Sequence, residues 1–262
     1  MKLHNHYDKE QFARDFAEKG YFLQANVLDA EFMDRARREL ALAIEREVQY
    51  HGSRNYSDYG MVLLCALYGG IFHGMLEYEP LIKPFEDTLG PGCIVYSQTS
   101  TSMPPGAGNY SSRIHVDSPR IIPGYIGTMA ALILLDNFTE ANGATCFLIG
   151  SHHSPEPPSS EVFYEKAERL IAPAGSVLFW HPRLWHAGGK NATAEWRHAL
   201  TVVMCRPYMK QRIDIPRALS HLDVSQMSPR VYQKLGFLAQ VPANYDEYYA
   251  PPERRKFRQK TE

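Results

Sequence analysis

"SVLFWHPRLWHAGGKN", residues 176–191, decides how this chain reads. It opens on a short run of β-branched and aromatic residues, breaks at His181-Pro182, and reaches a second histidine, His186, just before a Gly-Gly turn. The same texture recurs in "CIVYSQT" (93–99), "TMAALILL" (128–135), "TCFLI" (145–149) and "ALTVVM" (199–204), punctuated by Gly, Pro and Asn turns. Short strands at such intervals predict an antiparallel sandwich or barrel, so the fold class expected is mainly β with flanking helices.

The helices are expected at the amino-terminal end. Asp8 can cap a first helix in which Gln11 takes the capping-box position, Phe12 and Phe16 stand four apart, and Gly20 closes the turn. A strand, "YFLQANVL", follows. Asp29 can cap a second helix with Phe32, Ala36, Leu40 and Ile44 on one stripe, opposite Arg37, Arg38 and Glu45, ending near Gly52. No repeat, low-complexity tract or long Pro/Ser linker divides the chain. One domain over 1–262 is therefore expected: a helical part (1–90) packed on a β core (91–206), with an extension (207–262) rich in prolines. That extension and residues 51–80 are both candidate lids.

At 262 residues the chain is long enough to bury a large core, and 28 basic against 29 acidic side chains leave a net charge of −1. No electrostatic footprint for nucleic acid or for a membrane surface appears, so the partner expected is a small molecule. No stretch approaches the length of a spanning segment and the amino terminus has no apolar signal region, which predicts a cytoplasmic protein. Cys65, Cys93, Cys146 and Cys205 are widely spaced in apolar runs and read as reduced and buried.

The chemistry begins at "SSRIHVDSPR", residues 111–120, which reads as a short strand. Residues two apart on a strand share a face, so the His115 imidazole and the Asp117 carboxylate can converge on one ion, with Arg113 on the same side. That mixed donor set suits iron(II), and one more histidine would complete a facial triad with open positions. His181 and His186 are both available. Arg197, eleven residues beyond His186, favours His186, because its planar guanidinium can hold a dicarboxylate bidentately beside the metal. His152 and His153 of "GSHH" are expected to serve a turn. There is no G-x-S-x-G elbow and no P-loop, and "GAGNYS" lacks the third glycine of a dinucleotide fingerprint.

With "HVD" at 115–117, "LLDNFTEANGATCFLIGSHH" at 134–153, "AGSVLFWHPRLWHAGGKN" at 174–191 and Arg197 at its offset, the chain resembles the phytanoyl-CoA dioxygenase family of iron(II)- and 2-oxoglutarate-dependent oxygenases. The resemblance runs to about residue 240. It implies a double-stranded β-helix, a cupin-like jelly-roll whose mouth holds iron through His115, Asp117 and His186. It further implies 2-oxoglutarate on that iron with its far carboxylate on Arg197, Thr145 as a second donor, and oxygen as the other cosubstrate. Several relatives carry Gln where this chain has Arg113. That cation can bind the cosubstrate's inner carboxylate, hold an anionic substrate, or pair with a nearby acid. Tyr110, Arg120 and Arg183 flank the expected mouth and suggest a polar or anionic small substrate. The reaction expected is oxidation of a C–H bond with release of succinate and CO2, usually hydroxylation, with desaturation, ring formation and endoperoxidation open on the same ligands; Asp117 stands where related halogenases leave room for chloride. The rival expectation is a non-catalytic jelly-roll that keeps a metal or ligand site as a sensor or binding module.

Overall fold

The computed structural model describes residues 1–108, 110–251 and 254. After strand β1 (Leu3–His4), helix α1 (Lys9–Lys19) starts where Asp8 accepts the Gln11 N–H at 2.6 Å. It stops at Gly20, whose φ of 81° turns its N–H onto the Phe16 carbonyl. The Gln11 side chain does not close the capping box; it donates to Asp15 at 2.9 Å, one turn further on. Strand β2 (Tyr21–Gln24) leads to helix α2 (Ala30–His51), capped by Asp29 and ended at Gly52, which buries Ala36, Leu40, Ala43 and Ile44. The short α3 (Ile71–Gly74) and then α4 (Glu79–Leu89) complete the amino-terminal helices.

The strands that follow are β3 (Ile94–Ser100), β4 (Thr128–Leu134), β5 (Cys146–Phe147), β6 (Glu168–Arg169), β7 (Val177–Trp180), β8 (His186–Ala187) and β9 (Ala199–Cys205), with helix α5 (Ser160–Lys166) between β5 and β6. One sheet runs β1-β2-β7-β4-β9-β3, antiparallel except for β1 with β2, and a small antiparallel sheet runs β6-β5-β8. Isolated bridges between Phe138 and Ala172, Met103 and Arg197, and His115 and His186 supplement the ladders.

Strand β4 is buried along its whole length, and its side chains divide between two cores. Met129, Ala131 and Ile133 join Phe179 and Phe22 in a core under α1, α2 and α4. Ala130, Leu132 and Leu134 face the opposite way and meet Phe147, Ala144 and Leu170 from the small-sheet side. The period of two along a strand therefore sorts residues into a helix-side core and a sheet-to-sheet core.

This geometry corrects the expectation of a mainly β chain: 33% of residues are helical and 17% lie in strands. The outer face of the large sheet carries Met129, Ala131, Ile133, Val202 and Met204, so it cannot be left to water and takes a helical layer. A large and a small sheet enclosing one core, with helices on the outside, is an arrangement consistent with a jelly-roll. In the extension, α6 (Ile215–Ala218) and α7 (Pro229–Lys234) send Ile215, Val231 and, just beyond α7, Phe237 into the helix-side core, while α8 (Tyr245–Tyr249) has no buried residue. Arg212 of the same extension lines a cavity of the β core, and residues 252, 253 and 255–262 of the expected lid lie outside the described residues. All four cysteines are free, and Cys146 is half-buried, unlike the other three. No described helix is long and apolar enough to cross a membrane.

Candidate metal centre

Residues 111–120 do not form the expected strand. Pro119 removes a donor that a ladder requires, and the segment keeps one antiparallel bridge. That bridge joins His115 to His186, each backbone N–H reaching the other's carbonyl at 3.0 Å. His186 is also ladder-paired with Phe147 on its other side, and the two rings stack at 5.3 Å. His115 and His186 are therefore brought together by backbone pairing, and their ring centroids lie 4.2 Å apart.

One ligand atom from each of His115, Asp117 and His186 lies within 4.8 Å of the others. His115 Nδ1 is 2.7 Å from the Arg113 carbonyl and His186 Nδ1 is 2.9 Å from the Leu184 carbonyl. A carbonyl only accepts, so each Nδ1 carries the proton and each Nε2 presents a lone pair, the tautomer a metal needs. Trp180 donates its indole N–H to Asp117 Oδ2 at 3.1 Å, and Asp117 Oδ1 lies 4.0 Å from His186 Nε2. Burial holds the His186 pKa below its ordinary value, against the opposing pull of Asp117, which keeps the ring in the neutral form that binds metal. The donors fit a mononuclear divalent ion of the iron(II) type.

These residues line a cavity of about 360 Å³ that also takes in Thr145 and Arg197. Arg197 is 1% exposed. Its two terminal nitrogens each donate at 2.8 Å to carbonyls, those of Gly143 and Thr101, and its guanidinium lies over the Phe138 ring at 4.3 Å. Among the described residues its Nε has no partner, and no carboxylate oxygen comes within 4.0 Å of the guanidinium. Burial lowers its pKa to about 10, with Asp136 pulling the other way, so it stays cationic at neutral pH. A buried cation lacking a counter-ion, in the same cavity as the three donors, fits a cosubstrate carboxylate. Gly143 belongs to this arrangement: at a φ of 76°, a Cβ there would come within 2.7 Å of the Gly189 carbonyl oxygen.

Other expected residues lie elsewhere. Arg113 is exposed and lines neither cavity, and its carbonyl holds His115 Nδ1. Tyr110 belongs to a 3₁₀ turn, and its side chain lies outside the described residues. Arg120 and Arg183 line a second cavity of about 540 Å³ beside α1, together with His181, His152 and His153. Arg183 is spent on structure, donating to the Pro119 and Ser154 carbonyls at 2.6 and 2.7 Å. The strand period explains the separation, since Trp180 faces the metal-site cavity and His181, the next residue, faces the other. The His181 Nδ1 accepts the Arg183 backbone N–H at 3.1 Å, and burial, aided by His152 and Arg183, lowers its pKa to about 4.

The sequence reading passed over Trp180, although it stands two residues after Leu178 on the inward face. It also passed over Asp58 and Arg212, which line the metal-site cavity from irregular segments that give no periodic signal.

The model of the phytanoyl-CoA dioxygenase (PhyH) family matches residues 72–199. An uncharacterised protein of Mycobacterium tuberculosis, Rv1501, is 29% identical over 266 residues, covering 98% of this chain and 97% of that one. The "iron/alpha-ketoglutarate-dependent dioxygenase ausU" of Aspergillus calidoustus is 31% identical over 113 residues, covering 42% of this chain and 37% of its own length. Among solved structures, the non-heme alpha ketoglutarate dependent carbocyclase SnoK from nogalamycin biosynthesis is similar with a TM-score of 0.62 at 19% identity, covering 84% of this chain and 94% of that one. The epimerase SnoN, in complex with Fe3+ and alpha ketoglutarate, is similar at 0.59 and 18%, covering 84% and 92%. The class defined is that of the non-haem iron, 2-oxoglutarate-dependent oxidoreductases. Within it, residues 72–199 are similar to the phytanoyl-CoA dioxygenase family.

Proposed function

We propose that this chain, as one jelly-roll domain, hydroxylates a C–H bond of a small polar molecule at iron(II) held by His115, Asp117 and His186. The observation that carries the reading is the placing of three ligand atoms within 4.8 Å of one another in the cavity that also contains Arg197, buried with no carboxylate partner among the described residues. With iron(II) held there, oxygen would be the oxidant, one of its atoms going to the substrate and the other to the succinate formed from 2-oxoglutarate, with release of CO2.

The protein's own part is binding and orientation. His115 and His186 present Nε2 because carbonyls hold each Nδ1, and the Trp180 indole keeps Asp117 from rotating away. Arg197 receives the distal carboxylate of 2-oxoglutarate, with the Thr145 hydroxyl beside it as a second donor. Phe147 and Trp180 wall His186 on its apolar side, while Asp117 opposite is exposed. Asp117 supplies the carboxylate, so no ligand position is left for a halide, and hydroxylation is favoured over halogenation.

The test is succinate release by the purified chain given iron(II), ascorbate, oxygen and 2-oxoglutarate, with Asp117→Ala as the control. Slow release by the wild type alone, lost in the control, is expected even without substrate. Metal binding by a folded wild-type protein with no succinate above background would instead make the chain a binding module.

A further inference from the structure

The metal-site cavity contains two charges that the reaction chemistry does not use. Asp58 enters it from the irregular segment after α2, and Arg212 from the segment after β9. The Asp58 Oδ1 atom is buried and has no hydrogen-bond partner among the described residues. A carboxylate oxygen shut away from water without a donor is destabilising, and it is the kind of orphan that a ligand relieves. Arg212 is exposed at the rim, its backbone N–H fixed on the Tyr96 carbonyl at 3.0 Å. Among the described residues no carboxylate oxygen lies within 4.0 Å of its guanidinium, Asp58 included. Two opposite charges thus share one small cavity without neutralising each other.

Between them the wall is hydroxyl-rich. Ser97 and Thr99 alternate along β3, Thr101 follows, and Thr201 of β9 stands opposite Thr99 in register. The Thr101 hydroxyl is a further buried group without a partner among the described residues. We infer that the substrate is a small zwitterion of the amino-acid type, its ammonium group on Asp58 inside the cavity and its carboxylate on Arg212 at the rim. This rests on the dioxygenase reading only for the statement that this cavity is the reacting one. Asp58 and Arg212 are specificity-determining residues; they select what stands before the metal and take no part in the oxidation.

The test is calorimetric titration of the full chain, loaded with redox-silent zinc(II) and 2-oxoglutarate, against the proteinogenic amino acids and the straight-chain ω-amino acids. Each compound that binds is then compared with its N-acetyl and methyl ester forms. At least one free zwitterion should bind, and removing either charge should weaken it about tenfold or more, the scale of one charge-assisted hydrogen bond. Asp58→Asn should abolish the preference for the free amine over the N-acetyl form, and Arg212→Gln the preference for the acid over the ester. The inference is overturned if no zwitterion binds, if masking a charge costs nothing, or if both variants keep the wild-type preferences. It is also overturned if Arg212→Gln weakens 2-oxoglutarate itself, which would give that cation to the cosubstrate. Succinate release by the wild type, measured separately, reports on the dioxygenase reading, so failure of one is not mistaken for failure of the other.

Discussion

Replacing Arg197 separates its role in binding from its role in the fold. The wild-type side chain is 1% exposed, bridges the Gly143 and Thr101 carbonyls at 2.8 Å each, and covers the Phe138 ring. Truncation to alanine orphans two buried acceptors and leaves a void, a cost of about 2–5 kcal/mol, so Arg197→Ala is expected to lose much of its stability. Arg197→Lys is the informative variant. Its ammonium keeps the charge and reaches one partner at a time, but it cannot bridge both carbonyls and still offer a fork to a carboxylate. Losing one charge-assisted bond to 2-oxoglutarate is worth about 1.5–3 kcal/mol, so the half-saturating concentration should rise roughly tenfold to a hundredfold. Iron affinity should not change, because Arg197 touches none of the three donors. The assay is succinate formation against 2-oxoglutarate concentration, with circular dichroism and a thermal melt on the same preparation. A folded Arg197→Lys protein whose saturation curve superimposes on the wild type's would remove Arg197 from the cosubstrate site.

Three further outcomes are expected. Anaerobic iron(II) with 2-oxoglutarate should give a weak visible band that His115→Ala and His186→Ala abolish and His181→Ala retains; the opposite pattern for the two downstream histidines would reassign the third ligand. Trp180→Phe removes the donor on Asp117 and should weaken iron binding about tenfold or more while leaving 2-oxoglutarate affinity for the loaded protein intact, as titration with a competing chelator would show. His181 has a folded pKa of about 4 against an ordinary 6.5, so below pH 6.5 the unfolded chain takes up a proton that the folded one refuses, and stability falls as pH drops from about 6.5 to about 4. That contribution amounts to about 3 kcal/mol, and urea midpoints for His181→Asn should fall less steeply over that range than those of the wild type.

What could be read from the sequence follows the range of the physics involved. The capped starts of α1 and α2 and their glycine ends depend on residues within one turn, and Asp8, Gly20, Asp29 and Gly52 announce them. Strand texture is nearly as local, which is why the runs at 94–100, 128–134 and 199–205 stand out. The helical share was underestimated because the covering of the sheet's outer face is a tertiary requirement. The nearness of His115 to His186 depends on a backbone bridge between segments 71 residues apart, which no local pattern encodes; the mixed donor set, Arg197 at its offset from His186 and the family resemblance pointed to it instead. Arg120 and Arg183 were expected at the mouth on sequence proximity alone, and strand alternation at Trp180 and His181 sends that side of the chain to another cavity. Asp58 and Arg212 had no signal at all, being single charges in aperiodic segments.

The bridge between His115 and His186 also bears on how the metal would be acquired. Two of the three donors are cross-strand neighbours in hydrogen bonds the polypeptide makes for itself, so their spacing is set by folding and not by the ion. An ion arriving there has little chain left to order and contributes correspondingly little to holding the chain together, unlike a zinc finger, whose fold is bought by its metal. Such a centre can be emptied and refilled with different divalent ions while the body of the molecule stands unchanged, and occupancy in the cell would then follow whichever ion is in supply.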